Sequence, residues 1–341
     1  MISFFNDLKT YIIFKKNEKF FDIGFFSENK FIFQYLSGYI YKKASKKKIV
    51  LISFEKIELS SKENIKLFIF KTNFFREILF LTIKLKFLYS STPDLNNSLF
   101  KRSKFSKCKY IYLQHSPIGL IAGYNQDAFK SFDAIQAIHK YQYEEIKEIS
   151  KKYNLKIRAF KGKYNFLKYK ISSSTKKPKA EVLIAPSWNT KFYELKCHVL
   201  LSNLLKEKKI SFFIRPHPMS IKKKEISLIE LNNLKIEASI DKEIDFNQFS
   251  FLVSDWSGIF LEYAFLKNRK CFLINTPRKL LNNSYKHFSS KSIELEEREN
   301  LANTYEIDQL KRLVDDIANL YNNKITNKIP NYTKFKSKFY L

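Results

Sequence analysis

The chain is poor in glycine, cysteine and acidic residues, and each shortage removes a class of function. Six glycines in 341 residues leave little for the loops that cradle phosphate with bare backbone. The patterns GxxxxGK[ST], GxGxxG and GxSxG are all missing, which argues against a P-loop enzyme, a dinucleotide oxidoreductase and a serine hydrolase. Phosphate, if it binds, must rest on helix ends and side chains. Cys108, Cys197 and Cys271 lie far apart with no CxxC and no histidine spacing, so neither a disulfide framework nor a structural metal is indicated, and a reducing cytoplasm fits. HExxH and EF-hand patterns are also missing, and the expectation is an enzyme that uses no metal and no cofactor. Long apolar runs are lacking as well. "REILFLTIKLKFLY" (76–89) is interrupted by charges well before the ~20 residues that cross a bilayer, and no early stretch has the form of a secretory signal.

What the chain does have is positive charge. Sixty-two Lys and Arg against 33 Asp and Glu leave +29, a field that draws phosphates, nucleic acid or anionic lipid headgroups. Part of that excess follows from the abundance of Lys, Phe, Ile and Asn, which AT-rich coding inflates whatever the function. The opening "MISFFNDLKTYIIFKKNEKFF" mixes aromatic and basic residues as an interfacial segment does, with rings at headgroup level and lysines toward anionic lipid. An ordinary first helix packed on its domain would read the same way. The expected placement is cytoplasmic, with an anionic membrane surface as a candidate partner on the inner face of the plasma membrane.

Apolar content of 45% with 16% aromatic is ample for two cores. From residue 21 short β-rich runs alternate with helical stretches: "FDIGFF", "KIVLISF", "KLFIF", "LKFLYS", "YIYLQ" and "FDAIQAI", the last followed by the charged helix "YQYEEIKEISKKY". After a Ser/Lys/Pro stretch at 170–179 the alternation restarts with "VLIAP", a helix over 191–208, "ISFFI", "LKIEA", "FLVS" and "CFLIN". Strands bracketed by helices imply parallel sheets covered on both faces. The expected class is α/β, with two doubly wound Rossmann-like domains facing a cleft. The boundaries expected are 1–172 for an acceptor-side domain, 180–325 for a nucleotide-donor domain and 326–341 for a basic tail.

In open parallel sheets ligands bind beyond the carboxyl ends of the strands. Polar residues cluster at four such exits: His115-Ser116-Pro117, Pro186-Ser187-Trp188, Arg215-Pro216-His217-Pro218 and Asp255-Trp256-Ser257-Gly258. In "IRPHP" two prolines stop the strand and stiffen the mount of Arg215, whose fork suits phosphate, and of His217, which titrates near neutrality. Ser257 is placed to cap a helix whose mouth could cradle phosphate, and Gly258 would let a ligand approach the backbone. Glu262, one turn inside an apolar helix, needs a partner, either ribose hydroxyls or a backbone N–H. His115 could face the other motifs as a base for an acceptor hydroxyl. His139 reads as packing more readily than as a site, and His198 and His287 as surface residues.

In their order and spacing these blocks resemble the CDP-glycerol glycerophosphotransferases, the teichoic-acid-type polyol phosphate transferases built on the two-lobed B-type glycosyltransferase (GT-B) fold. The resemblance runs through "STPDLNNSLFKRS" (91–103), "YIYLQHSP" (110–117), "AFKSFDAIQAIHKYQYEEI" (128–146), "VLIAPSW" (182–188), "IRPHP" (214–218) and "SDWSGIFLEYAFLKNRKCFLINTPRK" (254–279). It implies that His115 activates an acceptor hydroxyl, which attacks the β-phosphorus of CDP-glycerol and expels CMP. His217 and Arg215 would hold the diphosphate, and Ser187, Trp188, Asp255, Ser257, Gly258 and Glu262 would line the donor side. Many members read His-Gly-Thr-Pro where this chain has His115-Ser116-Pro117, and a serine pair where it has Trp256-Ser257-Gly258. The expected donor is therefore CDP-glycerol or a similar nucleotide-activated compound, and the acceptor a glycan or lipid-linked hydroxyl. Two rivals remain: a glycosyltransferase of the same fold using a nucleotide sugar in capsule or lipopolysaccharide synthesis, and a basic nucleic-acid-binding protein. The second is disfavoured because the aromatic and basic residues interleave diffusely rather than forming a stacking platform, so no nucleic-acid partner is expected.

Overall fold

A computed structural model describes residues 2–61, 63–95, 101–103, 105–166, 180–238 and 244–340. The linker expected at 170–179 lies outside the described residues. Seven strands, β1 (Ile23–Ser27), β2 (Ile49–Ser53), β3 (Ile65–Ile69), β4 (Phe87–Ser90), β5 (Lys109–Tyr112), β6 (Ala134–Ala137) and β7 (Arg158–Lys161), form one sheet in the order β3-β2-β1-β4-β5-β6-β7. Five more, β8 (Val182–Ile184), β9 (Phe212–Ile214), β10 (Phe251–Ser254), β11 (Cys271–Ile274) and β12 (Ala302–Tyr305), form a second in the order β12-β11-β10-β8-β9. Every strand pairing in both is parallel. The expected α/β class with two Rossmann-like domains is what the structure shows.

The central strands are continuous apolar runs because they are covered on both faces. β1, β2, β8, β10 and β11 are buried at every position. The strand order reverses between β1 and β4 in the first sheet and between β8 and β10 in the second. A crevice opens at the carboxyl ends of such a reversal, which is where ligands of open α/β sheets bind.

Several local expectations change. The edge strands β7 and β12 had no apolar run to announce them, since each is partly exposed along its length. "LKIEA" adds only a bridge from Ala238 to Ile214. The helix expected over 191–208 is confined to Cys197–Glu207, because Lys191 (φ 59°) and Lys196 (φ 56°) turn the chain through left-handed conformations first. His198, expected at the surface, is buried on that helix beside Tyr193. The segment expected as a basic tail carries a short helix, Tyr332–Lys336, and buries Phe335 and Phe339. Phe339 packs 5.1 Å from Phe265 of the second half. Beside it, Lys140 N donates to Lys338 O at 2.9 Å and Tyr340 N to Ile138 O at 2.8 Å, so the chain end runs back onto the first half. Among the described residues no helix is long and apolar enough to cross a membrane.

Candidate active site between the two sheets

Strand exits from both sheets converge on a cavity of about 520 Å³. The first sheet contributes Glu28 and Asn29 after β1, Thr92 to Asp94 after β4, and His115 and Ser116 after β5. The second contributes Ala185 to Trp188 after β8, Arg215 to Met219 after β9, Trp256 to Gly258 after β10, and Lys279 beyond β11. Of the residues expected from sequence, His115, His217, Arg215, Ser187, Trp188, Ser257, Gly258 and Glu262 all line it. Asp255 does not.

His115 has its Nδ1 2.9 Å from the Tyr112 hydroxyl. Burial pushes its pKa down to about 4, helped by the Lys279 ammonium and opposed by the Ser91 carbonyl. The segment that follows is gripped by the helix Lys140–Lys152 and its cap. His139 Nε2 donates to the Pro117 carbonyl at 2.8 Å while its Nδ1 accepts from Gln142 N at 3.2 Å, which fixes a neutral ring with the proton on Nε2. Gln142 Nε2 donates to Ile118 O at 2.8 Å, and Leu120 N donates to Glu145 at 2.9 Å. Glu294, from the second half, accepts from Gly119 N at 2.8 Å and pairs with Arg278 at 3.1 Å. His139 thus packs and positions the loop without entering the cavity.

His217 rides on the rigid mount read from sequence. Its Nδ1 accepts from Met219 N at 3.0 Å, which leaves the proton on Nε2 of the neutral ring. Burial, then Lys279, His115 and Arg215, push its pKa down to about 3. An aromatic wall links the two imidazoles: His217 lies 6.2 Å from Phe31, Phe31 5.5 Å from Tyr35, and Tyr35 6.0 Å from His115, centroid to centroid. Trp188 completes that wall 6.4 Å from His217.

The β10 exit differs from expectation in two ways. Ser257 is not the cap; the helix spans Ile259–Lys267 with Gly258 at the N-cap and no side-chain cap. Asp255 is fully buried, accepting from Ser187 N at 2.7 Å, Trp256 N at 2.6 Å and Thr190 Oγ1 at 2.6 Å. It ties the β8 and β10 exits together across the reversal and does not line the cavity. Burial raises its pKa, and those three hydrogen bonds and Arg298 oppose the rise. Glu262 lines the cavity and accepts from the Tyr164 hydroxyl at 2.6 Å.

Three residues escaped the sequence reading. Lys279 lines the cavity with its ammonium 4.5 Å from the Trp188 ring, and burial lowers its pKa to about 8. Arg298 is buried, donates to the Asp255 carbonyl at 2.7 Å and lies 4.0 Å from the Trp256 ring. Tyr164 anchors Glu262. Only Lys279 had a visible signal, the basic pair closing "NTPRK" after a strand. Among the described residues no group of three or more His, Cys, Asp or Glu could hold a metal ion.

No protein-family model and no curated protein matches this chain. Solved structures of similar fold do exist. The wall teichoic acid polymerase TagF superposes with a TM-score of 0.54 at 13% identity, over 98% of this chain and 92% of that one. UDP-N-acetylglucosamine 2-epimerase from Rickettsia bellii gives 0.53 at 14% identity over 93% of each chain. The S. aureus MnaA structure with UDP gives 0.52 at 10% identity, over 92% of this chain and 93% of that one. At these identities the likeness establishes the fold, that of the GT-B proteins.

The depressed histidines generate a pH prediction. An unfolded histidine titrates near 6.5, whereas His115, His139 and His217 stay neutral in the folded chain down to about 4, 3 and 3. Protons therefore bind the unfolded chain preferentially, and the stability these neutral rings permit is full above 6.5 and is lost as pH falls toward 4. His217→Asn keeps an acceptor for Met219 N and removes one titrating ring. Its denaturation midpoint should fall less steeply than wild type between pH 6.5 and 4, an identical slope contradicting the assignment. Glu145, raised to about 8 by burial, acts in the opposite direction and cancels in the comparison.

Proposed function

We propose that the chain is a transferase that moves glycerol phosphate, or a related polyol phosphate, from a CDP-activated donor to a hydroxyl of a cell-surface glycan or lipid-linked acceptor, releasing CMP. The observation that carries this reading is the meeting of His115 and His217 with Arg215 and Lys279 in one cavity at the carboxyl ends of both sheets. The fold likeness to TagF supports it.

The chemistry follows from the placement. His115, neutral at physiological pH, takes the acceptor proton on Nε2 while Nδ1 faces Tyr112. The acceptor oxygen bonds to the phosphorus that bears glycerol as the bond from that phosphorus to the bridging oxygen breaks, and CMP departs with the bonding pair. Arg215 and Lys279 balance the charge on the leaving phosphate, and His217 donates from Nε2 to a phosphate oxygen. A bound diphosphate would cancel much of the Lys279 field on His115 and make it a stronger base. The S. aureus MnaA structure holds UDP in the same fold, so a nucleotide-sugar transferase is the second reading.

A panel of CDP-glycerol, CMP-, UDP- and GDP-sugars, with chromatography of the released nucleotide, separates the two. Release of CMP from CDP-glycerol with glycerol phosphate joined to the acceptor is expected, and His115→Ala should lower it by about 10²–10⁴-fold. Turnover with a nucleotide sugar alone, or full turnover without His115, refutes the proposal.

A lipid-linked acceptor would be met at a membrane surface, and the helix Ile2–Asn17 supports that placement. Its carboxylate Asp7 is buried under three donors from Lys71 and Thr72, and Glu18 just beyond it is buried beside Lys15. Phe5 (61% exposed) and Phe20 (63%) stand outward with Leu8, Ile12 and the exposed Lys9, Lys16 and Lys19. An apolar face edged with lysines suits anionic headgroups. The chain should sediment with phosphatidylglycerol vesicles and not with phosphatidylcholine vesicles, and Phe5→Ser with Ile12→Ser should release it. Equal binding to both vesicles, or none, removes this placement.

A further inference from the structure

The cations lining the cavity all stand on one side of it. Arg215, Lys222 and Lys279 all come from the second half, on the β9 exit, the short helix after it and the loop beyond β11. The first half offers no cation there and two carboxylates, Glu28 after β1 and Asp94 after β4, on either side of the point where its strand order reverses, while the second half's carboxylate at the cavity, Glu262, is taken by the Tyr164 hydroxyl. Asp94 is held there by a left-handed backbone (φ 59°), a conformation aspartate tolerates better than most residues, and by its N–H donating to Ala128 O at 2.9 Å. Asn125 Nδ2 sits 3.5 Å from its carboxylate. Two residues before Asp94, Thr92 is 7% exposed, lines the cavity, and has a hydroxyl with no hydrogen-bond partner among the described residues. A buried hydroxyl without a partner is costly unless a ligand supplies one.

We infer that this first-half face is a subsite for an uncharged polyhydroxyl group, the hydroxyl-bearing end of the acceptor, and that it selects against acceptors carrying phosphate at that end. A polyol hydroxyl donates to Glu28 and Asp94 and can accept from Thr92 or Asn125. A phosphate oxygen can only accept, and it would meet two carboxylates, of which only Glu28 has cations acting on it, Lys222 and Arg76. The inference rests on the proposed transfer in one respect, the assignment of the first half as the acceptor side. Glu28 and Asp94 are thereby specificity residues and His115, lining the same cavity, the base.

The test is saturation-transfer NMR on the full chain with CMP or UDP occupying the cation side, using paired probes: glycerol against glycerol 3-phosphate, and methyl glucoside against glucose 6-phosphate. Wild type should favour the neutral member of each pair by about tenfold, and Glu28→Gln with Asp94→Asn should bring the pair within about twofold. Nucleotide affinity should be unchanged in the variant, which also reports that it is folded; each single substitution should give a partial effect. Equal binding of phosphorylated and neutral probes by wild type, or a ratio the substitutions leave unmoved, overturns the inference. Should neither nucleotide bind, the transferase proposal falls, and the ratio without nucleotide and its response to the two substitutions decide this inference separately.

Discussion

The site depends on one close approach between the halves. A Cβ on Gly258 would fall 2.3 Å from Ser116 Oγ and 2.8 Å from Ile118 Cγ2, so the start of the Ile259–Lys267 helix can meet the loop after β5 only because position 258 has no side chain. The sequence suggested that this glycine admits a ligand; the structure shows it admitting the other half of the protein. Glu294 reinforces the contact by taking the amide of Gly119, and Glu145 and His139 grip the same loop from behind. Held on both sides, the loop fixes His115 toward the strand exits of the second sheet. Such preorganisation matters most where chemistry is done by positioning and charge.

Burial sets the charge state of the site. His115 and His217 are both kept neutral, one ring with Nδ1 committed to Tyr112 and the other to Met219 N. Positive charge is left to Arg215 and the lysines, which stand on the second half. Asp255 and Arg298 form the frame beneath: the carboxylate joins the β8 and β10 exits, and the guanidinium joins β10 to β11 through the carbonyls of Asp255 and Ile274. Neither contacts the cavity, yet removing either would release the loops that do. A carboxylate with three short hydrogen bonds is an economical brace, since it satisfies amides that a turn would otherwise leave unpaired.

How much of this was legible in the sequence varied with burial. The central strands announced themselves because both faces are covered, and the polar residues after them stood out against the apolar runs. Edge strands such as Arg158–Lys161 carry no such run and went unread. The exits located the site, but a polar residue at an exit says nothing about which way its side chain points, so Asp255 looked like a ligand contact and Ser257 like a cap. Lys279 carried only the basic pair that closes "NTPRK", and among 62 Lys and Arg that pair does not stand out. The Glu294 to Gly119 contact joins residues 175 apart, a pairing no local pattern can reveal.

The central claim is that the second half grips a nucleotide through its phosphates while the first half presents the base. Titration calorimetry of the full chain with CDP and with cytidine tests it most directly. CDP should bind and cytidine should bind at least about a hundredfold more weakly, the difference shrinking when Arg215 is replaced by alanine. Equal affinity for CDP and cytidine, or an Arg215→Ala variant that binds CDP as wild type does, would contradict the account.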